Sequence, residues 1–168
     1  MNLQIKKISK DNFSQYGQLI STEDIDSQNI NEETTKSFYD LVNIEVYGDD
    51  KQCRVNIFKS QKRTFPLVIN MLENHPLSSQ AFIPLQQTDF IVVVAPISQN
   101  PDINLIEAFH VSPEEGINFK PKVWHFPLIA TEDSNFLTID KKDSENNLEI
   151  YNFHNNDKIF LNYELIIY

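Results

Sequence analysis

Two short segments hold the residues of this sequence whose types and spacing could do chemistry. Between residues 73 and 84 a carboxylate, an imidazole and a carboxamide occur within eight positions, at Glu73, His75 and Gln80. A later segment places His125 between two bulky apolar neighbours. Because the whole chain has four histidines, these two groupings predict one site to which both segments contribute.

The first chemistry that these residues could perform is binding of a divalent metal ion. On an extended strand Glu73 and His75 project from the same face, since side chains two positions apart share a face. A small closed barrel brings distant strands to one interior, so His125 could join them there. A carboxylate, two imidazoles and the amide oxygen of Gln80 form a credible ligand set, in which imidazole suits nickel, zinc, copper or iron.

The same groups could also act without a metal, or have no chemical role. Histidine titrates near neutral pH and can serve as a general acid or base. Alternatively, His75 precedes Pro76 and could simply cap a turn. His125 lies between Trp124 and Phe126 and could be a packed core residue. The residues alone leave these alternatives open.

Length and composition predict a single globular domain over residues 1–168. The chain has 168 residues, 40% of them hydrophobic and 11% aromatic, which suffices for one full core and is short for two. The single cysteine, Cys53, cannot form an intrachain disulfide, which agrees with a reducing compartment. The alternating pattern around Cys53 predicts that it is a small buried strand residue.

The charge and hydropathy of the chain argue against two classes of partner. With 24 acidic and 14 basic residues the formal net charge is −10, which disfavours nucleic acid. The first residues lack the apolar core of a signal peptide, and no window approaches the ~20 apolar residues that a membrane span needs. We therefore expect a cytoplasmic protein without a membrane partner.

The dominant periodicity of apolar residues is two, which is typical of strands with one face in a core. A continuous apolar run at Phe90–Ala95 predicts a central strand covered on both faces. Many short strands separated by polar turns favour an antiparallel barrel or sandwich. The other predicted strands cover residues 42–46, 53–57, 67–71, 107–111, 128–131, 135–139, 148–153 and 163–168.

Helices are the minor component of this prediction. One helix is expected from residue 10 to about residue 16, with Ser9 as its N-cap and Gly17 as its stop. A second, short helix is expected over residues 102–106, just after a proline. The polar, acidic segment 21–36 is interpreted as a long loop, which either covers a site or has no role.

The two histidine segments resemble the ureidoglycolate lyase family, whose sequences carry the motifs Glu-x-His-Pro-x-x-x-Gln-x-Phe-Ile-Pro and Gly-Val-x-Tyr-x-x-x-x-Trp-His-x-Pro-Leu. The first motif is matched by Glu73, His75, Pro76, Gln80, Phe82, Ile83 and Pro84. The second is matched by Gly116, Trp124, His125, Pro127 and Leu128. Smaller similarities follow in the same order from about residue 3 to residue 140.

The resemblance implies a mainly β fold, namely a cupin-like antiparallel β-barrel (double-stranded β-helix or jelly roll) with one or two short helices. It also implies a carbon–nitrogen lyase that cleaves (S)-ureidoglycolate to glyoxylate and urea during allantoin and purine breakdown, and a homodimer. A divalent metal such as nickel has been associated with the family, and no nucleotide cofactor is implied. In the wider cupin pattern, the four metal-ligand positions correspond to Glu73, His75, Gln80 and His125.

The same resemblance suggests roles for individual residues. Glu73, His75 and His125 are the expected catalytic residues, and Gln80 is expected to contact the substrate. Substrate binding is also expected at Lys59 and Tyr39, where the family tends to have arginine and histidine.

Several positions depart from the family pattern. At Lys59 the charge for a substrate carboxylate is kept, but the bidentate fork of arginine is lost. Other departures are Phe119 in place of tyrosine, Phe126 in place of histidine and Glu115 in place of glutamine. These changes put the identity of the substrate in question while the motif skeleton persists.

Two further functions therefore stay open beside the lyase. One is a cupin-like protein that binds or senses a small hydroxy acid, or acts on a different one. The other is an interaction protein, supported by the aromatic tail 159–168, which is either a dimer-forming strand or the last core strand. The positions of Lys59, Tyr39 and Phe119 relative to the cavity would separate the lyase from a binding protein.

Overall fold

The computed structural model describes residues 1–142, 146–154 and 158–167 and consists mainly of β-strands. In chain order the strands are β1 (Asn2–Lys7), β2 (Gly17–Ile20), β3 (Gln28–Ile30), β4 (Thr35–Ser37), β5 (Cys53–Ser60), β6 (Leu67–Ile69), β7 (Met71–Asn74), β8 (Gln80–Pro84), β9 (Phe90–Ala95), β10 (Glu107–Val111), β11 (Gly116–Phe119), β12 (Trp124–His125), β13 (Ile129–Ala130), β14 (Ser134–Lys141), β15 (Glu149–Asn152) and β16 (Ile159–Ile167). The helical segments among these residues are α1 (Lys10–Phe13) and a 3₁₀ helix (Ile103–Leu105).

Most strands belong to two large sheets that face each other. The first sheet has the order β15-β7-β12-β9-β10-β1-β16-β6, with β13 also paired to β9, and the second has the order β2-β11-β8-β14-β5. Strands β3 and β4 form a separate hairpin. Among the described strands pairing is antiparallel except at β1, which runs parallel to β10 and β16. The prediction of an antiparallel barrel is thus correct for most pairs and wrong at β1.

Strand β9 lies between two hydrophobic cores and contributes side chains to both. Its even-numbered residues pack between the sheets, where Phe90 meets Phe136 of β14 with ring centroids 5.3 Å apart. Its odd-numbered residues pack into a second core with side chains of β1, β7 and β16, because the first sheet curls over itself. All six residues of β9 are buried, which confirms the predicted central strand. The facing, curled sheets form a cupin-like jelly roll.

Other predicted strands are confirmed with shifted ends. Residues 107–111 coincide with β10, residues 67–71 are divided between β6 and β7, and the strand predicted at 135–139 lies within β14. The tail belongs to β16, which pairs with β1 and β6 and buries Ile159 and Leu161. It is therefore a strand inside the sheet; Tyr168 lies outside the described residues.

The strand predicted at residues 42–46 was wrong. Only an isolated bridge between Val46 and Ser78 forms there among the described residues. Side chains replace a regular ladder, since Gln18 accepts a hydrogen bond from the Asn43 amide and the Ser79 hydroxyl accepts one from the Glu45 amide. Apolar alternation does not reveal that neighbouring side chains will bind the backbone in this way.

The prediction that Cys53 is buried was also wrong, because Cys53 is exposed at the start of β5. Strand β5 is an edge of the second sheet. Its even-numbered residues face inward, where Phe58 contacts Phe82 with ring centroids 6.0 Å apart. The odd-numbered residues face outward, and Val55 and Ile57 are 64% and 52% exposed.

The N-terminal helix begins as predicted and ends earlier. The Ser9 hydroxyl accepts a hydrogen bond from the Asn12 amide, which confirms Ser9 as the N-cap, but α1 ends at Phe13. Gly17 begins β2 instead of stopping a helix. A Cβ atom at Gly17 would lie 2.3 Å from the Asn118 carbonyl oxygen, so close packing of β2 against β11 requires glycine there.

Two smaller differences concern the connecting segments. The second predicted helix is a single 3₁₀ turn, in which the Asp102 side chain accepts a hydrogen bond from the Asn104 amide. The segment 21–36, interpreted as a loop, contains β3 and the start of β4. Within the described parts of the chain, the helices are too short and polar to cross a membrane.

Candidate active site

The two histidine segments meet at neighbouring strands of the first sheet. Strands β7 and β12 pair antiparallel, with Glu73 opposite His125, and cross-strand partners project from the same face. The Glu73 Oε1 atom lies 3.8 Å from His125 Nε2. The rings of His75 and His125 have centroids 5.3 Å apart. One potential ligand atom from each of Glu73, His75 and His125 lies within 4.8 Å of the others, and we call these residues the Glu–His–His cluster.

Backbone carbonyls hold both imidazoles in one tautomer. His75 Nδ1 lies 2.7 Å from the Asn147 carbonyl oxygen, and His125 Nδ1 lies 3.0 Å from that of Val123. A carbonyl oxygen can only accept, so each Nδ1 carries a hydrogen atom and donates it. In the neutral rings this leaves a lone pair on each Nε2. Both Nε2 atoms are buried and have no hydrogen-bond partner among the described residues.

The second sheet supplies the opposite wall of the site. Phe119 of β11 stacks on His125, with ring centroids 4.3 Å apart and an interplanar angle of 12°. On the neighbouring strand β8, Gln80 pairs with Phe119, so both side chains project from the same face of the sheet. Gln80 is buried, and its Oε1 has no hydrogen-bond partner in the described part of the chain. Gln80 therefore brings an unsatisfied amide oxygen to the Phe119 side of the site.

Burial sets the protonation states of the cluster. It lowers the pKa of His125 to about 3, assisted by the nearby imidazole of His75 and opposed by the hydrogen bond to Val123. His125 is consequently neutral at physiological pH. Burial also raises the pKa of Glu73, and the electrostatic interaction with His75 partly offsets this. The site thus holds a neutral imidazole beside a carboxyl group that protonates more readily than usual.

This donor set fits a divalent transition metal ion. Metal-binding histidines typically donate their other ring N–H to a carbonyl or carboxylate, as His75 and His125 do here. One ligand atom from each of Glu73, His75 and His125 lies close enough to the others for all three to bind one ion, and on both rings Nε2 is the nitrogen without a partner among the described residues. The same arrangement can accept hydrogen bonds from a bound molecule, because leaving buried acceptors unpaired costs free energy.

The structure does not bring two other predicted site residues into this group. Lys59 is exposed on β5 and pairs with Asn135, on the outward face of the sheet. Tyr39 is 53% exposed in a segment before β5. Their predicted contacts with a substrate stay predictions.

Two of the departures from the family pattern also have clear positions. Phe119, in place of tyrosine, lies against His125 within the site. Phe126, in place of histidine, packs into the second core, on the other face of the first sheet. The guanidinium carbon of Arg63 lies 5.7 Å from the centroid of the Phe126 ring. Of these two departures, only Phe119 can therefore change the surroundings of His125 directly.

Sequence reasoning missed one residue of the site, Asn147. Its carbonyl oxygen accepts the hydrogen bond from His75. It lies beyond residue 140, where the motif similarity fades, and no motif or periodicity marks it.

Two imidazoles with unpaired Nε2 atoms, a carboxylate and an amide lie between the facing sheets of a cupin-like jelly roll, and together they form a candidate active site. The family model described as Ureidoglycolate lyase matches residues 1–160. The chain belongs to the ureidoglycolate lyase family, as the resemblance of its two motifs suggested.

Named relatives agree with this assignment over almost the whole chain. A protein named ureidoglycolate lyase from Pseudomonas putida strain F1 is 35% identical over 161 residues, covering 95% of this chain and 96% of the relative. One from Stutzerimonas stutzeri is 37% identical over 160 residues, covering 95% and 94%. A solved dTDP sugar isomerase from Desulfovibrio desulfuricans aligns with 84% of this chain and 85% of its own at a TM-score of 0.42 and 14% identity, which is too remote to carry an argument.

Proposed function

We propose that this protein is a ureidoglycolate lyase that cleaves (S)-ureidoglycolate into glyoxylate and urea. Membership of the family, with relatives of that name aligned over 95% of the chain, supports the activity. The observation that carries the proposal is the convergence of Glu73, His75 and His125 with unpaired Nε2 atoms in the interior. We further propose that residues 1–168 act as one barrel domain.

The reaction needs a base and an acid but no nucleophile. Ureidoglycolate is a carbinolamine: its hydroxyl group loses a proton, the C–N bond breaks to leave a carbonyl group, and the urea nitrogen gains a proton. One group that takes a proton and returns it can serve both steps. The site offers such groups in the Nε2 atom of His75 and in the Glu73 carboxylate.

Burial suggests a division of labour within the cluster. The pKa of His125 is lowered to about 3, so His125 is a lone-pair donor that stays neutral and is suited to holding a ligand. Glu73 has a raised pKa and can carry a proton between hydroxyl and urea nitrogen. His75 and Gln80 complete the binding groups on the two sides of the site.

The Glu–His–His cluster and Gln80 would hold a divalent metal, nickel or another transition ion. When bound, such an ion supplies Lewis-acid chemistry, which lowers the pKa of a coordinated hydroxyl group. The chain's own contribution is to hold His75 and His125 with their Nδ1 protons engaged, so that each Nε2 faces the interior. The stacked ring of Phe119 covers one face of His125 and excludes water from it.

We also propose the cellular setting that the family suggests, a cytoplasmic homodimer acting in allantoin and purine breakdown. The outward face of the second sheet supports the dimer. Val55 and Ile57 of the edge strand β5 are exposed, and Leu137, Ile139 and Ile83 continue the apolar surface across β14 and β8. An exposed apolar face beside a free edge favours association, and a second copy of this chain would cover it with an identical face.

The activity is tested by measuring urea and glyoxylate released from (S)-ureidoglycolate by protein freed of metal with a chelator, and then with nickel, manganese or zinc added. We expect release in equal amounts, and faster release with a metal that fits. Circular dichroism on the same samples establishes that the protein is folded. No release by folded protein under any of these conditions would reject the proposal.

The dimer is tested by replacing Val55 and Ile57 with lysine and measuring mass by sedimentation. We expect the wild type to sediment as a dimer and the variant as a folded monomer, since four charges would face each other across the contact. A wild-type protein that is monomeric at micromolar concentration would contradict this assembly.

A further inference from the structure

Asn147 is joined to the site by three hydrogen bonds. It lies just before β15 and is 4% exposed. Its carbonyl oxygen accepts from His75 Nδ1 at 2.7 Å, and its side-chain Oδ1 accepts from the Leu77 amide at 2.7 Å. Its side-chain Nδ2 donates to the Ser78 hydroxyl at 2.9 Å. Asn147 thus binds one short turn, residues 75–78, through both its backbone and its side chain.

This turn is the segment that carries His75 from the first sheet to the second. It leaves β7 after Asn74 and enters β8 at Gln80, so it also fixes the spacing between two residues of the site. Ser79 is anchored separately, because its hydroxyl accepts from the Glu45 amide. In the part of the turn next to His75, the Asn147 side chain binds the Leu77 amide and the Ser78 hydroxyl. Backbone bonds from the amides of Lys122 and Tyr47 to the carbonyls of His75 and Leu77 add to this anchoring.

The bond to His75 determines which ring nitrogen is available. With Nδ1–H directed at the Asn147 carbonyl, the lone pair of a neutral His75 is on Nε2. A His75 ring released from this carbonyl could rotate or exchange tautomers, and Nδ1 would then compete as the acceptor. Outer partners of this kind commonly change metal affinity or activity 10- to 100-fold when they are removed.

We propose that Asn147 is a positioning residue of the site: its side chain binds the turn 75–78, so that its carbonyl oxygen holds His75 as the Nδ1–H tautomer, with a free Nε2 on a ring that lies beside Glu73 and His125. The effect on turnover rests on the proposed function, whereas the effect on the His75 tautomer does not. Asn147, which lies beyond the recognisable motifs, is thereby part of the site.

Asn74 provides the matched control. It is also a buried asparagine, 2% exposed, and its Nδ2 donates to Glu149 Oε2 at 2.8 Å, which ties β7 to β15. It lies between Glu73 and His75, and alternation along β7 directs its side chain to the opposite face. Asn74→Ala should therefore lower stability as Asn147→Ala does, while leaving the His75 ring in place.

The experiment is nitrogen-15 NMR of the histidine rings in the metal-free protein, combined with steady-state kinetics. In the wild type we expect His75 as the Nδ1–H tautomer. In Asn147→Ala we expect a mixture of tautomers and a fall in kcat of about 10- to 100-fold. Asn147→Asp should restore most of both, because a carboxylate can accept from the Leu77 amide and from the Ser78 hydroxyl. Asn74→Ala should show the wild-type tautomer and kcat.

An Asn147→Ala protein with the wild-type His75 tautomer and the kcat of Asn74→Ala would overturn the proposal. If Asn147→Ala does not fold, Ser78→Ala removes one bond of the Asn147 side chain and should shift the same His75 resonances by a smaller amount; an unchanged spectrum would also overturn it. The tautomer is read without substrate. A protein that releases no urea but shows the shift would therefore contradict the lyase proposal and leave the role of Asn147 standing.

Discussion

Among the described residues, two groupings place a carboxylate beside histidine, and they differ in the hydrogen bonds that the carboxylate accepts. The first is the Glu–His–His cluster. The second, which we call the Asp89 cluster, lies within the first sheet. The Asp89 carboxylate accepts from His110 Nε2 at 2.6 Å, from the Thr131 hydroxyl at 2.6 Å and from the Tyr163 hydroxyl at 2.8 Å.

The two carboxyl groups respond to burial in opposite ways. Burial alone would raise the pKa of Asp89, but the hydrogen bonds from Thr131, His110 and Tyr163 outweigh it and hold that pKa below its ordinary value. At Glu73 burial dominates, and the pKa is raised. A carboxylate with its donors in place stabilises the fold, whereas one beside unpaired imidazoles is available for chemistry.

The largest expected effect is on turnover, at the Glu–His–His cluster. His125→Ala removes an imidazole that binds substrate or metal, and we expect kcat for urea release to fall about 100-fold, because a misplacement of about 1 Å at the reacting centre can cost that much. Far-UV circular dichroism should stay at the wild-type spectrum, since strand pairing is made by the backbone. Turnover at the wild-type rate would remove His125 from the site.

The next effect is on stability, at the Asp89 cluster. His110→Ala deletes a hydrogen bond to a charged, largely buried group, so we expect a loss of ~2–3 kcal/mol in the free energy of unfolding. The kcat of the folded variant at low temperature should stay within about twofold of wild type, because His110 binds Asp89 and is not part of the Glu–His–His cluster. Urea unfolding measures the stability, and the urea-release assay on the same preparation measures kcat. A His110→Ala variant that is as stable as wild type but inactive would contradict the assignment of a structural role to the Asp89 cluster.

The smallest expected effects are on the pH dependence of folding stability, which should have opposite signs at Glu73 and Asp89. Glu73 has a folded pKa above its ordinary 4.5, so its ionisation lowers stability as the pH rises above 4.5. Glu73→Gln should therefore be more stable than wild type at pH 7 and gain nothing at acidic pH. Asp89 has a folded pKa below its ordinary 3.8 and contributes stability above that pH, which is lost on acidification.

Asp89→Asn should accordingly be less stable than wild type at pH 7, with a difference that shrinks as the pH falls below 3.8. Urea unfolding of both variants at several pH values tests the pair of signs. If both variants change the free energy of unfolding in the same direction at pH 7, the two carboxyl groups do not differ in the way that their contacts indicate.

The sequence predicted those features that depend on local pattern. The apolar run of β9 identified the strand that both cores share, and the Ser9 cap marked the start of α1. The two motifs also predicted that Glu73, His75 and His125 would converge, because strands that pair across a barrel bring separated segments together. Their catalytic roles stay predictions.

Features that depend on distant partners could not be predicted in this way. The exposure of Cys53 follows from the edge position of β5, which alternation does not reveal. Residues 42–46 alternate like a strand, but side chains of Gln18 and Ser79 bind their amides. Asn147 acts on His75 over 72 positions of sequence, and no periodicity spans that separation.

The position of the site between two sheets has a consequence for heating. His125 belongs to β12 of the first sheet and Phe119, stacked on it, to β11 of the second. A slight parting of the sheets would undo this stack while leaving every strand paired with its neighbours. On heating, catalysis should then be lost at a temperature some degrees below that at which the circular dichroism signal of the strands is lost. The reaction rate would therefore report on the packing of the two sheets against each other.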